Sequence, residues 1–174
     1  FYFDEAVKDS WRNSSYLPDN IEDGVVASAI GSTVAGNDLA NSIAGGEGSD
    51  SLYGMTGIDT LLGGGGDDLL NGGDWDVTDD GEADVLQGGA GDDIYEVDAS
   101  DTVVEGLDDG IDTVRASSDY SLGDNVENLV FVDGVSHEGQ GNALANVLTG
   151  AAGDDTLTGN DENDTLIGGL GADE

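Results

Sequence analysis

A polar side chain, Asp or Asn, recurs at every ninth residue in two parts of this 174-residue chain. Most of these residues are followed two positions later by an aliphatic residue and four positions later by a glycine. The first run consists of Asn41, Asp50, Asp59 and Asp68, with Ile43, Leu52, Leu61 and Leu70 as its aliphatic members. The second run consists of Asn146, Asp155, Asp164 and Asp173, with Leu148, Leu157 and Leu166. A fixed short period is typical of solenoids, in which each repeat packs on its neighbours.

Nine residues divide into a turn of about six residues and a strand of about three. Side chains alternate along a strand, so only the aliphatic residue in the middle of each triplet points inward. Two such units complete one flattened coil, and residues two units apart in sequence therefore stack on the same edge. We predict an all-β chain that folds as a right-handed parallel β-helix, a solenoid of β-roll type.

Stacking brings the acidic side chains to about 4.8 Å spacing, where carboxylates repel one another. The predicted pairs are 41/59, 50/68, 59/84, 68/93, 146/164 and 155/173. Calcium removes such repulsion, because it takes six to eight oxygens from carboxylates and backbone carbonyls. The glycine two residues before most acidic positions provides the positive φ of a tight turn. The predicted metal ligands are Asn41, Gly48, Asp50, Gly57, Asp59, Gly66, Asp68, Asp76, Asp80, Asp84, Gly91, Asp93, Asn146, Gly153, Asp155, Asp164, Gly171 and Asp173.

The nine-residue period is interrupted once, between Asp68 and Asp84. Within the inserted segment 74–84, Asp76, Thr78, Asp80 and Gly81 fit the start of a calcium loop, but the twelfth position is Gln87 instead of Glu. A complete EF-hand is therefore not indicated, and two interpretations stay open: a protruding loop with its own calcium ion, or a solvated acidic loop. Trp75 is interpreted as a packing anchor in preference to a ligand-stacking platform.

The repeats GSDSLYGMT, GIDTLLGGG and GDDLLNGGD resemble those of the RTX (repeats-in-toxin) family of secreted calcium-binding β-roll proteins. Segments 88–106, 110–131 and 139–150 also look like the longer units that join nonapeptide runs in large RTX proteins. The resemblance implies export by type I secretion in an unfolded state, followed by calcium-triggered folding outside the cell. It does not name an activity, since the family attaches this module to proteases, lipases, epimerases, cytolysins, adhesins and surface-layer proteins.

The composition agrees with folding that depends on metal. The chain carries 39 acidic and 3 basic residues, a formal net charge of −36, which resists compaction when no cation is bound. An acidic, glycine-rich linker without structure would share this composition but not the strict period. The charge excludes nucleic acid as a partner, and no apolar run is long enough to insert into a membrane. Cysteine is absent, so disulfides and thiolate metal sites are excluded.

A longer repeat underlies the nonapeptides, because residues 16–68 align with 121–173 without a gap at an offset of 105 positions. We expect residues 1–15 to be a cap or the end of a preceding repeat, and 16–40 to be linking β rungs. A nonapeptide β-roll with its insertion loop then covers 41–100. Residues 101–145 should form the linking rungs of the next repeat, and 146–174 a second, truncated nonapeptide run. The linking segments are interpreted as wider rungs of the same helix without calcium turns.

No catalytic constellation is evident, and no catalytic residue is assigned. His137, the single histidine, is interpreted as a solvated surface residue. The aromatic residues of segment 1–16 are interpreted as a cap or part of a preceding repeat, with a binding surface as the alternative. The favoured function is a calcium-binding structural module of a secreted or cell-surface bacterial protein, such as an adhesin stalk or a surface-layer or filament subunit, that self-associates end to end. The alternative is an accessory C-terminal module of a type I-secreted enzyme.

Overall fold

The fold consists of short strands joined by turns. A computed structural model describes residues 15–20, 22–28, 30–74 and 81–174. Its strands are β1 (Ser15–Tyr16), β2 (Asp23–Ser28), β3 (Thr33–Ala35), β4 (Ser42–Glu47), β5 (Ser51–Tyr53), β6 (Thr60–Gly65), β7 (Leu69–Asn71), β8 (Val85–Ala90), β9 (Ile94–Val97), β10 (Thr102–Val103), β11 (Thr113–Ala116), β12 (Tyr120–Ser121), β13 (Asn128–Phe131), β14 (Glu138–Gln140), β15 (Val147–Thr149), β16 (Thr156–Thr158) and β17 (Thr165–Ile167). No helix among the described residues is long and apolar enough to cross a membrane.

The strands alternate between two faces of a solenoid, and every pair is parallel. Sheet A contains the odd-numbered strands from β1 to β17 in sequence order. On the other face, sheet B has the order β10-β8-β6-β4-β2 and sheet C the order β12-β14-β16. Sheet C continues the face of sheet B, because Gly123, just after β12, lies against the Val103 carbonyl of β10. The predicted parallel β-helix is confirmed.

The insertion changes one turn and leaves the strands in register. Coils built of nonapeptides advance by 18 residues, as in the pairing of Ser51 with Leu69. Across the insertion the advance is 25 residues, and Leu69 pairs with Ile94 in the same way. The extra residues are therefore confined to the connection between β7 and β8. Trp75, Asp76 and Asp80 of this connection lie outside the described residues, as does segment 1–14 with its aromatic side chains.

The linking rungs vary in width. The step from Asp93 to Asp112 is 19 residues, but the step from Asp112 to Glu127 is only 15. The prediction that all linking rungs are wider than the nonapeptide coils is therefore wrong for the second of them. The narrower coil has a shorter turn and keeps β11 and β13 paired over four residues.

One row of apolar side chains from each face fills the interior. The fully buried members include Ile43, Leu52, Leu61, Leu70, Leu86, Tyr95, Val114, Leu129 and Leu148. Leu166 is the exception among the predicted core residues: it is 48% exposed, because β17 is the last strand of sheet A and no described strand packs over it. The predicted three-residue strands are found in β3, β5 and β7. Strands β4, β6 and β8 instead extend to six residues by continuing through their glycine pairs.

The longer repeat places corresponding segments on opposite faces. Ile43 of β4 lies in sheet B, whereas its counterpart Leu148, 105 positions later, lies in β15 of sheet A. Leu52 of β5 lies in sheet A, and its counterpart Leu157 lies in β16 of sheet C. One unit of the longer repeat therefore ends half a coil out of phase with its start.

Candidate metal centre

The residue before each nonapeptide strand forms a ladder with its counterpart one coil away. In every predicted pair, the Oδ1 atom of the later residue accepts the backbone N–H of the earlier one. The distances are 2.6 Å for Asn41 to Asp59, 2.7 Å for Asp50 to Asp68, Asp59 to Asp84 and Asp68 to Asp93, 2.8 Å for Asn146 to Asp164 and 3.1 Å for Asp155 to Asp173. The predicted stacking of these positions is confirmed.

The ladder also runs through the linking rungs, which were predicted to lack calcium turns. Asp101 accepts the N–H of Asp84, Asp112 accepts that of Asp93, and Glu127 accepts that of Asp112. Each of the three carries its apolar core residue two positions later, as Asp112 precedes Val114. An acidic residue followed two positions later by an apolar residue is the pattern that could have identified these positions without the nine-residue period.

Burial leaves one oxygen of several ladder carboxylates without a partner. Asp50 and Asp68 are each 2% exposed and Asp93 is 1% exposed, and their Oδ2 atoms find no hydrogen-bond partner. A buried polar atom left in this way costs about 1–3 kcal/mol, and more when it is charged. A cation placed at these oxygens removes that cost, since calcium binds carboxylate oxygens.

The pKa values of these carboxyl groups show that the fold without metal disfavours their ionised form. Burial, as the largest cause, raises the pKa of Asp50, that of Asp68 to about 6 and that of Asp93 to about 8. For Asp68 and Asp93 the neighbouring carboxylates of the ladder raise it further. The metal-free arrangement therefore favours protonated carboxyls, whereas a bound dication favours the ionised form.

The first glycine of the pair in strands β4 and β6 makes room for two kinds of ligand oxygen. A Cβ at Gly63 would lie 2.7 Å from the Gly88 carbonyl oxygen and would also collide with Asp68 Oδ2. The same arrangement surrounds Gly45, which faces Asp50 Oδ2 and the Gly63 carbonyl oxygen. A carboxylate oxygen and the carbonyl oxygen of the next coil thus converge on one small space. This donor set contains only oxygen and fits calcium.

The predicted turn glycines mostly adopt the conformation that the period requires. Gly48, Gly57, Gly66, Gly91 and Gly171 have φ values from 93° to 148°, a region that other residues rarely occupy. Gly153 is not among the glycines with positive φ. In the last coil Asp164 is half-buried and Asp173 is exposed, because no described coil packs beyond them.

The two asparagines that begin the runs each accept a backbone N–H from four residues earlier, and Asn146 also donates across the coils. Asn146 Oδ1 accepts the N–H of Asn142 at 2.8 Å, and its Nδ2 donates to the carbonyl oxygens of Val126 and Glu127 at 3.0 and 3.1 Å. Asn41 Oδ1 accepts the N–H of Asn37 in the same way, at 2.7 Å. At Asn146 an amide nitrogen therefore approaches backbone carbonyls at a position equivalent to that of the aspartates.

His137 is buried, so its interpretation as a solvated surface residue is wrong. Its side chain occupies a ladder position, where its backbone N–H donates to Asp155 Oδ1 at 2.9 Å, and it is only 6% exposed. The imidazole stacks on Phe131 at 4.6 Å between ring centroids, and its Nε2 contacts Asp133 Oδ1 at 2.8 Å. This hydrogen bond lowers the pKa of Asp133.

The stacked parallel strands and the rows of buried carboxylates are those of a β-solenoid whose turns can bind metal ions. Residues 44–74, 77–103 and 140–174, more than half of the chain, match the family of the RTX calcium-binding nonapeptide repeat (4 copies). The chain belongs to this family and is an RTX calcium-binding repeat module, which confirms the resemblance seen in its sequence. No curated protein matches the chain.

Proposed function

We propose that this chain is a structural module of a secreted or cell-surface bacterial protein and that it folds when it binds calcium outside the cell. The observation that carries the proposal is the row of buried carboxylates whose Oδ2 atoms lack partners, at Asp50, Asp68 and Asp93. At neutral pH a chain with a net charge of −36 cannot stack ionised groups of this kind stably without cations. Extracellular calcium is abundant enough for weak sites, which in extracellular modules bind at roughly 10⁻⁴ to 10⁻³ M.

In this function each coil contributes oxygens to an ion shared with the next coil. Asp50 Oδ2 with the Gly63 carbonyl oxygen, and Asp68 Oδ2 with the Gly88 carbonyl oxygen, are the ligand pairs with the clearest geometry. The bound ion supplies two positive charges and accepts several oxygen ligands at once. The other predicted aspartates and turn-glycine carbonyls of both runs would contribute in the same way, whereas Asn41 and Asn146 would offer only an uncharged amide. Asp76 and Asp80 of the inserted segment would hold a further ion.

A spacer role is favoured by the longer repeat. Tandem units that stack along one axis build length, which suits an adhesin stalk or a surface-layer or filament subunit. The alternative, an accessory module that helps a type I-secreted enzyme to fold, uses the same calcium chemistry but does not require an offset of 105 residues between similar segments. In neither role does this module itself act as a catalyst.

We further propose that the module associates end to end. Leu166 and Ile167 of β17 are both 48% exposed, and the outer edge of β17 has no partner strand among the residues described. An open strand edge beside exposed core residues is a template for pairing with another chain. The contact is head to tail, so it propagates into a filament when the rotation does not close.

The test of the main proposal is folding against calcium. Far-UV circular dichroism in EDTA should show a largely unfolded chain, and millimolar calcium should produce the β signal, because ions neutralise the stacked carboxylates. Sodium chloride at matched ionic strength is the control for simple screening and should not restore the signal. A fully formed β signal in EDTA at neutral pH would contradict the proposal.

A further inference from the structure

Three carboxyl groups converge where the first nonapeptide run gives way to the linking rungs. Asp93 precedes β9, Glu105 follows β10, and Asp112 precedes β11. One oxygen of each lies within 4.8 Å of the other two. Asp93 belongs to the nonapeptide period, but Glu105 and Asp112 do not, so this cluster is not one of the repeat turns.

Two of these carboxylates each have one buried oxygen without a hydrogen-bond partner. Asp93 Oδ1 accepts the N–H of Asp68 at 2.7 Å, whereas its Oδ2 has no hydrogen-bond partner. Glu105 is only 9% exposed, and its Oε1 is also without a partner. Buried anionic oxygens in this state require a cation or a proton.

No basic side chain of the described part of the chain can supply that charge. Arg115 is the only Lys or Arg among the described residues, and it pairs with Glu96 instead. Backbone donors near Glu105, such as the Gly106 N–H at 3.2 Å from Oε2, satisfy only part of the carboxylate. The missing charge must therefore come from solution.

The cluster offers a cation oxygen ligands, as the nonapeptide turns do, but side-chain carboxylates take the place of the backbone carbonyl. Beside Asp68 Oδ2 the next coil places the carbonyl oxygen of Gly88. At Asp93, one coil further along, a carboxylate oxygen lies within 4.8 Å of side-chain oxygens of Glu105 and Asp112. Three carboxylates and no nitrogen or sulfur ligand select a hard divalent cation over a transition metal.

We propose that Asp93, Glu105 and Asp112 bind a calcium ion that joins the last coil of the first nonapeptide run to the first linking rung. The site deepens the proposed function, on which it rests for the identity of the ion, but its ligands Glu105 and Asp112 lie outside the repeats. It extends the row of ions into a part of the solenoid where the nonapeptide period is absent.

The variant Glu105→Gln tests the site, because it should move the calcium midpoint of folding in opposite directions with and without a bound ion. We expect the calcium midpoint of folding, followed by circular dichroism, to move to higher calcium, and the bound calcium measured by equilibrium dialysis to fall by about one ion per chain. If the cluster holds no ion, the same substitution removes repulsion and a buried charge. The midpoint then moves to lower calcium with an unchanged ion count, which overturns the inference.

The matched control is Glu138→Gln, the same substitution at an exposed position, which should leave both measurements unchanged. If Glu105→Gln does not fold at any calcium concentration, Asp112→Asn is judged by the same two measurements, since an Asn oxygen can still accept the N–H of Asp93. A wild-type chain that does not fold with calcium counts against the proposed function. A wild-type chain that folds, with a variant that folds at lower calcium, counts against this site alone.

Discussion

At the scale of single residues, the two oxygens of a ladder carboxylate have separate tasks. Oδ1 of Asp68 accepts the N–H of Asp50 and fixes the spacing of the coils, whereas Oδ2 turns inward beside the Gly88 carbonyl oxygen. Asn146, at the start of a run, joins the coils in a different way. Its Oδ1 accepts the N–H of Asn142 within its own coil, and its Nδ2 donates to the carbonyl oxygens of Val126 and Glu127 in the preceding coil.

The raised pKa values predict how pH acts on the metal-free protein. Burial raises the pKa of Asp68 and Asp112 to about 6, of Glu105 to about 7 and of Asp93 to about 8 in the fold, against about 4 in an unfolded chain. The metal-free fold therefore binds more protons than the unfolded chain, and its stability falls as pH rises through this window. In EDTA, the β signal in circular dichroism should increase when pH is lowered from about 8 to about 5.

Calcium should reverse this dependence, because protonated carboxyls do not ligate the ion. In millimolar calcium the same acidification should reduce the β signal instead of increasing it. Equal slopes in EDTA and in calcium would mean that the ladder carboxylates are not the groups that hold the ions.

At the scale of elements, the period predicted the parallel strands, all six stacked pairs and the inward residues other than Leu166, which is 48% exposed. It could do so because side-chain alternation and coil length leave one register that buries Ile43, Leu52, Leu61 and Leu70. The linking rungs were less predictable, since a turn can lose residues without moving its strands, as between Asp112 and Glu127. The burial of His137 depends on its stacking against Phe131, a contact across a turn that no local pattern reports.

The glycine of strand β6 that lies beside the ligand oxygens, Gly63, should be intolerant of any side chain. In Gly63→Ala the new Cβ would collide with Asp68 Oδ2 and the Gly88 carbonyl oxygen, and we expect a loss of about 1–3 kcal/mol in the free energy of unfolding at saturating calcium. Urea unfolding followed by circular dichroism measures it.

The matched control for this substitution is Gly134→Ala, whose Cβ would meet only Ala152 at 3.9 Å. Its free energy of unfolding should stay within about 0.5 kcal/mol of the wild-type value. Equal effects of the two substitutions would show that the space beside Gly63 is not needed for ligand oxygens.

At the scale of the whole molecule, end-to-end association should depend on calcium. Static light scattering should show a mass that rises with calcium and protein concentration, because folding forms β17, whose outer edge has no partner strand among the described residues. Leu166→Asp places a charge on that end and should keep the chain monomeric. Leu107→Asp, at a residue that is 78% exposed in the turn after β10, is the control and should associate like the wild type. A strictly monomeric wild-type chain at millimolar calcium would refute self-association.

Each unit of the longer repeat ends half a coil out of phase with its start, and this shift determines the symmetry of any array built from it. Corresponding segments such as β4 and β15 lie on opposite faces, so consecutive units are related by a two-fold screw operation along the solenoid axis. A chain that continues this unit presents each surface feature alternately on its two flat sides. A ligand group carried once per unit would therefore be displayed in two opposed rows, and a single rod could bridge partners that lie on either side of it.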